Sequence, residues 1–99
     1  MTLVEDENFS ECSELESVTL PRARSIGESA FSGLNKLKEV KIPQANYIGN
    51  YAFFKCTSLT KISVRLVETI GKYAFYGCTS LELASMIEAR NIGSKAFHN

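Results

Sequence analysis

Ninety-nine residues suit one small domain, and a hydrophobic fraction of 44% is ordinary for a globular chain. Eleven basic residues balance eleven acidic ones, and a formal net charge of zero argues against a dedicated nucleic-acid binder. No apolar run approaches the roughly 18 residues of a membrane-spanning helix, so no membrane insertion is expected.

Read from the N-terminus, Met1-Thr-Leu-Val passes straight into Glu5-Asp6-Glu7, and no secretory leader is visible. Leu15, Val18 and Leu20 then alternate with polar residues and end at Pro21, a short strand closed by a residue that cannot donate to a ladder. Ile26-Gly27 and Ala30-Phe31 follow, then Leu34. From here the chain repeats itself with a constant step of 22 residues. Leu37, Val40, Ile42 and Pro43 form the next strand signal, then come Ile48-Gly49, Ala52-Phe53 and Cys56. Leu59, Ile62 and Val64 open the following row, which continues to Ile70-Gly71, Ala74-Phe75 and Cys78. The last row has Leu81, Ala84 and Met86 without a proline, then Ile92-Gly93 and Ala96-Phe97. Val4, Phe9 and Cys12 keep the same phase at the beginning.

A fixed period of this length is the mark of a solenoid. Residues 1–99 read as a single repeat domain of about four and a half rows. The rows start and stop in mid-repeat without a recognisable polar cap, so a piece of a longer protein is expected. Each row is expected to contribute one short strand to a parallel sheet, with Leu, Val and Leu pointing inward. The Ile-Gly to Ala-Phe segment reads as a tight turn, either alone or with one helical or 3₁₀ turn. Glycine there provides either positive φ or close backbone approach, and alanine makes room for phenylalanine in the stacked interior.

These motifs, Leu-x-x-Val-x-Leu-Pro followed by Ile-Gly, Ala-Phe and Cys-x-x-Leu in fixed phase, resemble the BspA-type (Treponema pallidum type) leucine-rich repeat along nearly the whole chain. Leu34 in place of cysteine and the proline-free last strand depart from the pattern. The resemblance implies an α/β repeat solenoid: a curved, right-handed leucine-rich-repeat coil with short parallel strands on the concave face. It implies turns or short helical segments on the other face. It also implies a cell-surface or secreted protein of the adhesion type, non-enzymatic, binding a host or cell-surface protein. A structural spacer carrying other domains is the alternative.

No residues compose a catalytic or cofactor site. Cys12, Cys56 and Cys78 share an inward column in which Leu34 also stands, so they read as small buried hydrophobes. Cys56 and Cys78, on adjacent coils about 5 Å apart, also fall within disulfide reach. Neither a Cys-x-x-Cys pair nor a histidine cluster is present for zinc, and His98 has no positioned cysteine partner. Asn8-Phe9-Ser10 fits the glycosylation acceptor pattern, but Asn8 falls in the inward alanine column and reads as a chance match.

Function is therefore sought on the surface. Residues 1–16 carry six acids and no base, whereas residues 33–65 carry Lys36, Lys38, Lys41, Lys55, Lys61 and Arg65 against Glu39 alone. Lys38, Lys41, Lys61 and Arg65 are candidates for an acidic ligand; the plainer reading is a solvated face. Leu83 and Ile87 break an otherwise polar strand face and suggest a contact patch or a surface covered by a further repeat. Tyr51 and Tyr73 share one column, and Phe54, Tyr76 and His98 another. They read either as a binding patch or as aromatic ladders that stabilise neighbouring coils. Unpaired ends also make end-to-end association of two copies an expectation.

Overall fold

A computed structural model of the chain describes residues 9, 12–64, 67–82 and 91–98, and the backbone of the two-residue strand Leu3–Val4. Among the described residues eight short strands occur in chain order: β1 (Leu3–Val4), β2 (Ser17–Thr19), β3 (Ser25–Ile26), β4 (Glu39–Lys41), β5 (Tyr47–Ile48), β6 (Lys61–Ser63), β7 (Thr69–Ile70) and β8 (Asn91–Ile92). They form two parallel sheets, one of three strands in the order β2-β4-β6 and one of five in the order β1-β3-β5-β7-β8.

The register transcribes the sequence period. Val18 lies opposite Val40 and Val40 opposite Ile62 in the smaller sheet. Ile26, Ile48, Ile70 and Ile92 follow one another in the larger. Each partner is 22 residues on, so one repeat is one coil. The result is a parallel-strand β-solenoid.

Two expectations change. Each full coil contributes two strands rather than one, because the segment before each Ile-Gly is also extended and lies on its own copy one coil away. No helix occurs among the described residues. The segment after each Ile-Gly is a run of four-residue turns: Ala52 donates to the Gly49 carbonyl, Phe54 to Tyr51, Cys56 to Phe53 and Leu59 to Cys56. The intervening N–H groups are spent on the next coil instead. Tyr51 donates to Lys72, Phe53 to Ala74 and Lys55 to Tyr76, at 3.0, 2.7 and 2.6 Å. A helix would turn those donors back on its own coil.

The core runs as columns along the solenoid. Leu37 and Leu59, Val40 and Ile62, and Ile42 and Val64 are buried as their alternation predicts. Leu15, Leu20 and Leu81 are only partly buried. Phe9, Phe31, Phe53, Phe75 and Phe97 stack face to face with centroids 5.0–5.3 Å apart and planes within 7° of parallel. Fully buried Ala30, Ala52 and Ala74 beside them leave the space the rings occupy. Cys12 departs from its column: it is exposed, whereas Leu34, Cys56 and Cys78 are buried. It lies in the first described turn, with a stacked counterpart described on one side only.

The repeated glycine is a matter of space. A methyl group on Gly49 would lie 2.9 Å from the Glu28 backbone nitrogen, and one on Gly71 would lie 2.5 Å from that of Asn50. One on Gly93 would meet the Lys72 nitrogen. Among the described residues positive φ belongs to other positions: Gly33 and Gly77 at +76°, and five residues that are not glycine.

Substitutions at three positions separate these roles. Phe53→Ala should lose about 3–5 kcal/mol through the cavity it leaves. Gly71→Ala should lose about 3 kcal/mol, the upper end for overpacking, because the obstructing atoms are backbone. Gly33→Ala meets open space and only a left-handed backbone, so about 1 kcal/mol is expected. Urea denaturation should return that ranking; equal losses at Gly71 and Gly33 would contradict the close-approach role of the Ile-Gly glycine.

Candidate functional site: the aromatic turn face

The turn segments place side chains on an outer face of the solenoid, and two aromatic ladders stand there. Tyr51 stacks on Tyr73 at 5.1 Å with planes 5° apart. Phe54 stacks on Tyr76 at 5.2 Å, and Tyr76 on His98 at 5.4 Å. The ladders interlock, with Phe54 edge-on to Tyr51 at 5.2 Å and to Tyr73 at 6.4 Å. Tyr51, Phe54, Tyr73 and Tyr76 are all half-buried and His98 is exposed. The coil spacing of a β ladder, about 4.8 Å, is close to the stacking distance of aromatic rings, so identical columns stack without adjustment. Of the two sequence readings, the stabilising ladder is thus present, and its half-exposed edges leave a continuous aromatic strip at the surface.

The backbone under this strip is unusual. Ser29, Tyr51, Tyr73 and Lys95 occupy one column and all have φ between +56° and +60°. Each is the third residue of a turn such as Gly49-Asn50-Tyr51-Ala52, where a type II turn demands left-handed backbone. Glycine or asparagine is the inexpensive choice there; a bulky residue costs about 1–2 kcal/mol. Lys55 has φ +57° in the column where Gly33 and Gly77 stand above and below it. Its ammonium lies 5.4 Å from the centroid of the Phe54 ring, in reach of a cation–π contact.

Among the described residues, the charged side chains of this face in the coils that begin at Ile48, Ile70 and Ile92 are Lys55, Lys72 and Lys95, all exposed. Beside Lys72 an open groove is lined by Asn50, Thr69, Gly71, Asn91 and Ile92. The Asn50 side-chain oxygen accepts from the Lys72 backbone N–H at 2.9 Å, which fixes that wall.

The strand-face lysines are arranged differently. Lys41 faces Thr19 and Ser63 in the ladder, and Lys61 faces Glu39. Glu39 is also 3.9 Å from the Lys41 ammonium. Lys38, the neighbour of Glu39, is exposed, and its carbonyl receives the Thr60 and Lys61 amides. One carboxylate therefore sits among these lysines. Arg65, Leu83 and Ile87 lie outside the described residues, as does Asn8. Lys55, Lys72 and Lys95 went unselected in the sequence because they fall in three different rows and three different columns. The visible signal was Lys55 standing between two glycines of one column.

Cys56 and Cys78 donate to the Phe31 and Phe53 carbonyls, each at 3.1 Å, and both are free thiols. Burial, aided by the neighbouring Cys78, pushes the Cys56 thiol up to about 12. Burial pushes the Cys78 thiol up to about 11. Neither is a nucleophile near neutrality.

The family model described as BspA type leucine rich repeat region (6 copies) matches residues 2–99, and the chain belongs to that family. No curated protein and no solved structure matches the chain. Repeats of this kind serve in general as protein-interaction modules, in proteins that are typically surface-exposed or secreted. No helix among the described residues is long and apolar enough to cross a membrane.

The thiols give a direct check. A neutral thiol reagent at pH 7 should label Cys12 quickly, and Cys56 and Cys78 only on unfolding. Because the folded-state values lie above the unfolded value of 9.0, the stability these thiols lend is complete below pH 9. It should be lost as pH rises from there towards 12. Rapid labelling of all three in the native protein would contradict the buried column.

Proposed function

We propose that the chain is a non-enzymatic protein-interaction module of an adhesion-type surface or secreted protein, and that the aromatic turn face makes the contact. The observation that carries this reading is the half-exposed strip of Tyr51, Phe54, Tyr73 and Tyr76. Aromatic residues, tyrosine above all, are enriched at binding surfaces because they bury much area with few rotatable bonds. Tyr51 and Tyr73 stand on left-handed backbone where a smaller residue costs less. Outliers of that kind concentrate where a side chain is kept for its contacts. Lys38, Lys41 and Lys61 have no part in this reading, since Glu39 lies among them.

The alternative, a spacer whose repeats only hold other domains apart, needs the ladder for stiffness alone. A panel of purified extracellular-matrix and cell-surface proteins, immobilised and probed with the chain, separates the two. The module should be retained by at least one member, and Tyr51→Asn with Tyr73→Asn should abolish retention. Asparagine tolerates the left-handed backbone, so the fold should survive and circular dichroism should be unchanged. No retention with any member would favour the spacer, and retention unaltered by the double substitution would move the contact off the aromatic face.

A further inference from the structure

We propose that the aromatic turn face selects an acidic partner: a carboxylate-rich, extended segment of the bound protein, held by Lys55, Lys72 and Lys95. This rests on the interaction-module reading and adds the chemistry of the ligand.

Three observations converge. The first is charge. The turn segments of three successive coils, residues 50–58, 72–80 and 94–98, contain these three lysines and not one carboxylate. Among the described residues none of the three forms an ion pair, whereas Lys36 pairs with Glu14 at 2.7 Å and Lys41 lies 3.9 Å from Glu39. Glu28, in the preceding coil, shares the column of Asn50 and Lys72.

The second is the direction of the rings. Tyr51 stacks on Tyr73, Phe54 on Tyr76 and Tyr76 on His98, so the ring faces turned toward one another are covered and the surface between these coils consists of ring edges and tyrosine hydroxyls. Ring edges carry the positive end of the aromatic quadrupole. Together with hydroxyl donors and ammonium groups they favour oxygen anions. Stacking of nucleic-acid bases or sugar rings needs the covered ring faces, which makes those ligands poorer fits.

The third is backbone cost. Lys55 and Lys95 hold left-handed φ of +57° and +56°. Glycine fills the Lys55 column in both adjacent coils, so the turn itself does not require a lysine there. A fold that accepts strain to project a cation into an acid-free aromatic surface has the arrangement expected of an anion site. Lys55 and Lys95 are two coils apart, about 10 Å along the axis. Carboxylates at alternate positions of an extended chain lie on one side about 7 Å apart, so a short acidic segment spans the two coils between these ammonium groups.

The probe is a fluorescently labelled peptide of alternating glutamate and glycine, with its glutamine counterpart as control, titrated against the intact chain. Binding of the glutamate peptide should weaken about tenfold or more between low and high salt, and the glutamine peptide should not bind. Lys55→Gly combined with Lys72→Gln and Lys95→Gln should lower affinity about tenfold or more. Lys41→Gln with Lys61→Gln should leave it within about twofold. Lys55→Gly alone should weaken binding while holding or raising Tm, since it relieves a left-handed residue; this separates binding from folding. No binding, equal loss in the strand-face variant, or binding of heparin or a single-stranded oligonucleotide in place of the peptide would overturn the proposal. Retention of a partner protein that depends on Tyr51 and Tyr73 but not on the lysines would overturn it while leaving the module reading intact. Peptide binding without any retained partner would have the opposite meaning.

Discussion

Everything in this molecule depends on how closely one coil can lie on the next. The approach is set by backbone, through hydrogen bonds such as Gly49 to Ile26 at 2.8 Å and Gly71 to Ile48 at 2.7 Å. It is possible because the residue after Ile48, Ile70 and Ile92 has no Cβ to hold the coils apart. Once that distance is fixed, identical residues fall above one another. Phenylalanine meets phenylalanine at stacking distance, isoleucine meets isoleucine, and tyrosine meets tyrosine. A coil alone has no such contacts. Its stability comes from its neighbours, as in any quasi-one-dimensional array.

The same constraint explains the surface. Turns that must give their N–H groups to the next coil cannot become helices, so they close as short hydrogen-bonded turns with left-handed residues at fixed columns. Those columns face outward. Residues in one such column fall above one another coil after coil, and a tyrosine in two adjacent rows becomes a stacked pair without further design. The aromatic strip is therefore a product of the core register, and the three lysines around it are superimposed on that register.

Much of this was legible in the residues. The 22-residue phase gave the parallel pairing, and Leu37, Val40, Ile42 and Phe53 are buried where alternation and column placed them. The tyrosine column was visible as well. The second sheet was not, because Ser25–Ile26 and Tyr47–Ile48 are too short to show a period of two. Glycine carried two meanings in sequence, and only the fold separates them: space at Gly49 and Gly71, conformation at Gly33 and Gly77. Left-handed tyrosine and lysine were illegible, since neither residue type signals such a backbone. Lys55, Lys72 and Lys95 converge through the stacking of three rows, a relation that linear charge counting does not display.

Amide hydrogen exchange tests the central claim most directly. If coils are bonded to one another around the turn face as well as through the sheets, the N–H groups of Tyr51, Phe53 and Lys55 are held as firmly as that of Gly49. Their exchange should then be slowed to the same extent as that of the central strands, in one cooperative unit. Exchange of Tyr51, Phe53 and Lys55 at the rate of exposed loop amides, with protection confined to Val40 and its strand neighbours, would contradict the account.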